Sequence, residues 1–95
     1  PLVPILTFKS FDEVIERAND NDLGLCSYLY TNSMDKAHIG SEKLESGCVA
    51  VNTGVVALAE APFGGIKQTG YGREGGSGAI KDYLNVKYTH MGLKI

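Results

Sequence analysis

The chain lacks any block of like charge and any long apolar run, and these two absences exclude whole classes of function. Nine basic and eleven acidic residues leave a formal net charge of −2, so neither nucleic acid nor an anionic membrane surface is an expected partner. No apolar stretch approaches the roughly 18–20 residues of a membrane-spanning helix, and no charged segment followed by an apolar one opens the chain as in a secretory signal. Cysteine is equally sparse. Cys26 and Cys48 lie in apolar segments, not in a Cys-x-x-Cys pair, with no His or Asp cluster beside them; no metal is expected, and both read as buried free thiols. These features fit a cytoplasmic setting best, which is the one expected. What remains is a globular chain of 95 residues, 43% hydrophobic and 21% charged, forming at most one domain. A chain of this size buries only about 60–70% of the surface its unfolded form exposes, so in isolation it would be marginal. It starts at Pro1 without an initiator Met, inside an apparent strand, which reads as part of something longer.

Periodicity predicts an α/β order. Leu2 to Phe8 is an apolar, β-branched run with Pro4 tolerable near its start or at an edge. Ser10 and Glu13 form a capping-box signature, and Phe11, Val14, Ile15 and Ala18 recur at helical spacing over Phe11 to Asn19. The run Asn19-Asp20-Asn21-Asp22 ends that helix, because its side chains compete for backbone hydrogen bonds. Leu23 to Tyr30 predicts a strand apolar on both faces, as in a covered parallel sheet. Asn32 or Ser33 caps a second helix over Met34 to Glu45, with Met34, Ala37, Ser41 and Leu44 as its stripe and a left-handed Gly47 as its stop. Cys48 to Asn52 is a third strand, completing β-α-β-α-β with right-handed crossovers. Ser77 then caps a short helix carrying Ala79, Ile80, Tyr83 and Leu84, and Val86 to Met91 alternates as a closing strand. Nothing covers the edge of that last strand, so it reads as an assembly strand pairing with another copy; the alternative is a solvated strand held by the chain's own sheet.

Between the third strand and the short helix lies Ala61-Pro62-Phe63-Gly64-Gly65-Ile66-Lys67-Gln68-Thr69-Gly70-Tyr71-Gly72-Arg73-Glu74. Glycine is selected where φ is positive or another group approaches the backbone, and proline fixes the entry path, so this is a structured functional loop. Gly70, Gly72 and Gly75 also spell the dinucleotide-loop pattern. That match carries little, since no strand runs straight into it and no acidic residue follows at the ribose-binding distance of about 20 residues.

These residues, together with Gly47-Cys48-Val49-Ala50-Val51-Asn52 and the Asn19 to Gly24 turn, resemble the C-terminal portion of NAD(P)-dependent aldehyde dehydrogenases over essentially the whole chain. The wording Asn52-Thr53-Gly54 and Gly65-Ile66-Lys67-Gln68-Thr69-Gly70-Tyr71-Gly72-Arg73-Glu74 is most similar to the succinate-semialdehyde branch. The resemblance implies that residues 1–84 belong to the catalytic domain and 85–95 to an oligomerisation strand and tail. The dinucleotide-binding domain would lie upstream. It implies oxidation of an aldehyde to an acid through a cysteine thiohemiacetal, hydride transfer to the nicotinamide of NAD or NADP, and thioester hydrolysis. Neither Cys26 nor Cys48 matches the family's nucleophile motif, and its base and cofactor ligands also fall upstream. The piece alone is therefore expected to be inactive and to hold no cofactor. Its partners would be the rest of the polypeptide, further copies of itself and a small aldehyde.

By the same resemblance, Phe63 walls the aldehyde's acyl chain; the other reading is a loop anchor packed into the core. Glu74 resembles a proton-relay glutamate; the other reading is an ion pair with Lys67 or Arg73 that fixes the loop. Ala57 and Leu58 stand where the succinate-semialdehyde branch places a serine on the substrate's distal carboxylate. Neither donates a side-chain hydrogen bond, which favours a less polar aldehyde. Asn85 replaces an acid common in relatives, leaving Arg73 for another partner. Two non-dehydrogenase readings stay open: an α/β interaction module binding through its edge strand, and a phosphate-binding domain using Gly70 to Gly75.

Overall fold

The computed structural model describes residues 1–94. Its elements run α1 (Phe11–Asn19), β1 (Leu23–Gly24), β2 (Cys26–Leu29), α2 (Met34–Lys43), β3 (Cys48–Val51), β4 (Ile66–Lys67) and a 3₁₀-helix (Ala79–Tyr83). Strands β2 and β3 pair in parallel, with Cys26 opposite Cys48 and Leu29 opposite Val51. Helix α2 forms the crossover between them. Strands β1 and β4 pair antiparallel, Leu23 with Lys67 and Gly24 with Ile66.

Local chemistry sets both helices. Ser10 is extended and its hydroxyl accepts from Glu13 N at 3.2 Å, satisfying one of the orphan donors of the first turn. Glu13 reaches back to Lys9 N at 2.9 Å and takes Arg17 at 3.2 Å, while Arg17 also donates to Thr7 O at 2.9 Å, tying the N-terminal arm to α1. The exit is fixed by Asn21, whose amide donates to Ala18 O at 2.7 Å and whose oxygen accepts from Leu23 N at 2.8 Å. Ser33 caps α2 by accepting from Lys36 N. Asn19 then locks the two helices together, donating to Lys43 O at 2.8 Å and accepting from Glu45 N at 2.9 Å.

The core is narrow. Ile15 of α1 and Ala50 of β3 are its buried apolar residues among those described. Gly40 is the buried point of α2, and a Cβ there would come within 2.5 Å of the Leu29 side chain. The packing face of α2 is therefore Ala37, Gly40 and Leu44, with Met34 and Ser41 turned to solvent, because only a glycine lets the helix seat on β2.

Five sequence expectations are corrected. Leu2 to Phe8 is not a strand. Its apolar side chains are exposed, Leu2 at 93%, because no second strand is present to receive its backbone groups. The β-α-β-α-β order accordingly reduces to one β-α-β unit plus the β1–β4 ribbon. Residues 86–91 form no strand for the same lack of a partner; within them Tyr88 Oη lies 3.3 Å from His90 Nδ1. The end of the expected 85–95 tail, Ile95, lies outside the described residues. The single strand expected from Leu23 to Tyr30 is split at Leu25, where the chain leaves the ribbon for the parallel pair. Finally, Gly47 is not left-handed; it is required because a side chain there would collide with Gly64 O. The short helix is also 3₁₀ rather than capped by Ser77: Gly78 precedes it without a side-chain cap.

Candidate functional site

The glycine-rich loop folds back on itself through one backbone bridge. Phe63 N donates to Glu74 O and Glu74 N donates to Phe63 O, both at 2.7 Å. Two residues singled out in the sequence are thereby joined directly. They line an open cleft of about 550 Å³ with Leu25, Thr69, Tyr71, Arg73, Asp82, Tyr83 and the glycines between them. Ala57 and Leu58 lie outside that lining, in the exposed segment before the bridge.

The loop's path is held by backbone and guanidinium. Arg73 Nη1 donates to Gly65 O at 2.9 Å and to Gly72 O at 2.7 Å, so it is occupied with the loop's carbonyls and not free for an outside partner. Gly75 sits at φ +68°, and a Cβ there would stand 2.8 Å from Ala61 O. Position 75 thus demands glycine twice over, by conformation and by contact. No α-helix opens from Gly70 to Gly75; a five-residue 3₁₀-helix follows, which does not supply the helix N-terminus a pyrophosphate needs.

Glu74 forms no ion pair among the described residues, and Lys67 is engaged elsewhere. Lys67 Nζ meets Glu45 Oε2 at 2.6 Å, Asn19 O at 2.9 Å and Asn21 O at 3.1 Å. This clamp, with Thr69 Oγ1 accepting from Gly24 N at 2.8 Å, pins the loop to the helical layer. Glu74 is exposed and lines the cleft. Behind the cleft, Cys48 Sγ donates to Gly64 O at 3.8 Å. Both cysteines are half-buried, less enclosed than the sequence implies, and neither lines the cleft. Burial first, then the neighbouring Cys48 thiol, pushes the Cys26 thiol up.

Sequence reasoning missed Tyr71, Asp82 and Tyr83 as cleft residues. Asp82 and Tyr83 come from the 3₁₀-helix and reach the cleft only through the fold of the loop. No group of three or more His, Cys, Asp or Glu side chains among the described residues is placed to hold a metal, and no described helix is long and apolar enough to cross a membrane.

Comparison with known proteins gives a consistent likeness. The sequence profile of the Aldehyde dehydrogenase family matches residues 1–89. The chain is 49% identical over 92 residues to a 3-sulfolactaldehyde dehydrogenase of Pseudomonas putida, covering 97% of this chain and 19% of that protein. It is 45% identical over 93 residues to an NADP(+) succinate-semialdehyde dehydrogenase of Escherichia coli strain K12, covering 98% of this chain and 19% of that protein. Among solved structures, the NAD+ complex of an aldehyde dehydrogenase from Bacillus cereus superposes with a TM-score of 0.83 at 45% identity, over 86% of this chain and 17% of that one. The chain thus spans about a fifth of the length of the curated relatives it matches.

Proposed function

The chain belongs to the aldehyde dehydrogenase family, and from that premise we propose that it is the C-terminal segment of an enzyme that oxidises a small aldehyde to a carboxylic acid with NAD+ or NADP+. The observation that carries this reading is the Phe63–Glu74 bridge: it sets an aromatic wall and a carboxylate side by side on one cleft, the pairing an acyl-chain binder with a proton-handling group requires. Phe63 orients the carbonyl by enclosing the chain attached to it. Glu74 passes a proton toward or from the water that hydrolyses the thioester.

The nucleophilic thiolate, the base and the dinucleotide fold are assigned to the rest of the polypeptide, since neither Cys26 nor Cys48 lines the cleft and the Gly70 to Gly75 loop opens no α-helix. The nicotinamide, when bound there, accepts the hydride. This segment's own contribution is to bind and orient. The terminal residues 85–95 are assigned to contact with another copy of the chain, and the setting to the cytoplasm.

The substrate class proposed is a short aldehyde with an acidic far end, succinate semialdehyde among them. The two relatives described above are named for succinate semialdehyde and 3-sulfolactaldehyde, which supports this class. A kinetic panel on the full-length polypeptide, comparing acidic semialdehydes, a sulfonated aldehyde and neutral aliphatic aldehydes with NAD+ and with NADP+, tests it. A preference for the acidic members upholds the class. A preference for neutral aldehydes would instead assign the far end to an apolar wall including Ala57 and Leu58, and no turnover of any aldehyde would overturn the enzymatic reading.

A further inference from the structure

The parallel pairing of β2 and β3 places Cys26 and Cys48 directly opposite each other as Cα partners. Residues in register on neighbouring strands present their side chains to the same face of a sheet. Both thiols are half-buried in this chain. Neighbouring strands run about 4.7–4.9 Å apart, inside the roughly 4.4–6.8 Å Cα separation a disulfide tolerates but short of its preferred 5.5–6 Å. A bond across this pair can therefore close without moving the strands far.

We propose that Cys26 and Cys48 form a reversible redox pair, oxidised to an intrachain disulfide by low-molecular-weight disulfides such as glutathione disulfide. The chemistry balances in two exchanges. The first protein thiolate attacks one sulfur of glutathione disulfide, forming a mixed disulfide and expelling a glutathione thiolate. The second protein thiolate attacks the protein-side sulfur of that mixed disulfide and expels the other glutathione thiolate. Two protein thiols are oxidised, one glutathione disulfide is reduced to two glutathiones, and the two thiol protons pass to them.

The location gives the pair a consequence for the cleft. Cys48 Sγ is the donor to Gly64 O, and Gly64 lies next to Phe63 on the cleft wall. Disulfide formation removes that donor. The pair is independent of which aldehyde the enzyme takes.

The test is differential alkylation and peptide mapping of the full-length folded protein, equilibrated with glutathione redox buffers and quenched in acid. The expected result is a Cys26–Cys48 linked peptide pair, lighter by two hydrogens than the sum of its reduced peptides, with alkylation of both cysteines lost in parallel and restored by dithiothreitol. In Cys26→Ser the linked pair is absent and Cys48 carries glutathione. In Cys48→Ser, a second variant in case the first misfolds, the linked pair is again absent. Circular dichroism confirms that each sample is folded. Glutathione on either cysteine of the wild type without a linked pair, linkage only in denaturant, or two thiols unchanged in folded protein under oxidising buffer would each overturn the proposal.

Discussion

At the scale of single residues, Gly47 and Glu74 carry the most consequence. Gly47 has an ordinary backbone, yet its missing side chain is what lets the turn before β3 lie against Gly64 and Gly65. Gly47→Ala should cost about 1–3 kcal/mol through overpacking, measured by denaturant unfolding of the full-length protein; an unchanged midpoint would remove the contact from the account. Glu74 has no ion pair to break among the described residues, so Glu74→Gln is expected to leave stability nearly unchanged. In the full-length enzyme the same change should lower kcat with little effect on KM and alter a limb of the pH–rate profile. A stability loss with an unaltered profile would make Glu74 a loop-fixing residue instead.

Among elements, α1 was the most legible in the sequence. Its cap, first-turn acids, apolar spacing and polar stop are all local, and the observed span Phe11–Asn19 matches the expected one. Ser10→Ala should remove about 1 kcal/mol, read as faster amide exchange confined to the first turn of α1. Glu13 extends this to pH. The Lys9 backbone N–H first, opposed in part by desolvation and then reinforced by Arg17, holds its carboxyl below the usual carboxylate range. The folded state therefore binds this proton less tightly than the unfolded state. The stabilisation is fully present above the usual range and is lost as pH falls through the lowered value; the protection factors of α1 amides should fall there in wild type, and Glu13→Gln should flatten the dependence.

Strands were less legible, because a strand exists only with its partner. The segments 2–8 and 86–91 have strand-like composition, but no neighbour within this chain. Conversely the β1–β4 ribbon and the Cys26–Cys48 register link residues far apart in sequence, and no window of periodicity contains both members of such a pair. The candidate site was legible to the extent that unusual glycines mark an unusual path; its Asp82 and Tyr83 wall was not.

For the molecule as a whole, size and surface point to missing contacts. The radius of gyration is 19.3 Å, against about 13 Å for a compact domain of this length. The accessible surface is 8290 Å², against roughly 5,300 Å² for a folded monomer of this mass. The excess is on the scale of a large obligate interface. Both arms, with Leu2, Ile5, Val86 and Tyr88 exposed, supply much of it. Amide exchange on the full-length protein should find residues 2–8 and 86–91 protected, whereas the same segments in the 95-residue chain alone should exchange at nearly free rates.

The most direct measurement of the cleft's role is kcat/KM of wild type and Phe63→Ala in the full-length enzyme across aldehydes of increasing chain length. Loss of an acyl-chain wall predicts a fall of about tenfold or more for the longer aldehydes, a smaller fall for acetaldehyde, and a folded variant throughout. Equal kcat/KM values for the two proteins along the whole series would contradict the assignment of this cleft to the aldehyde.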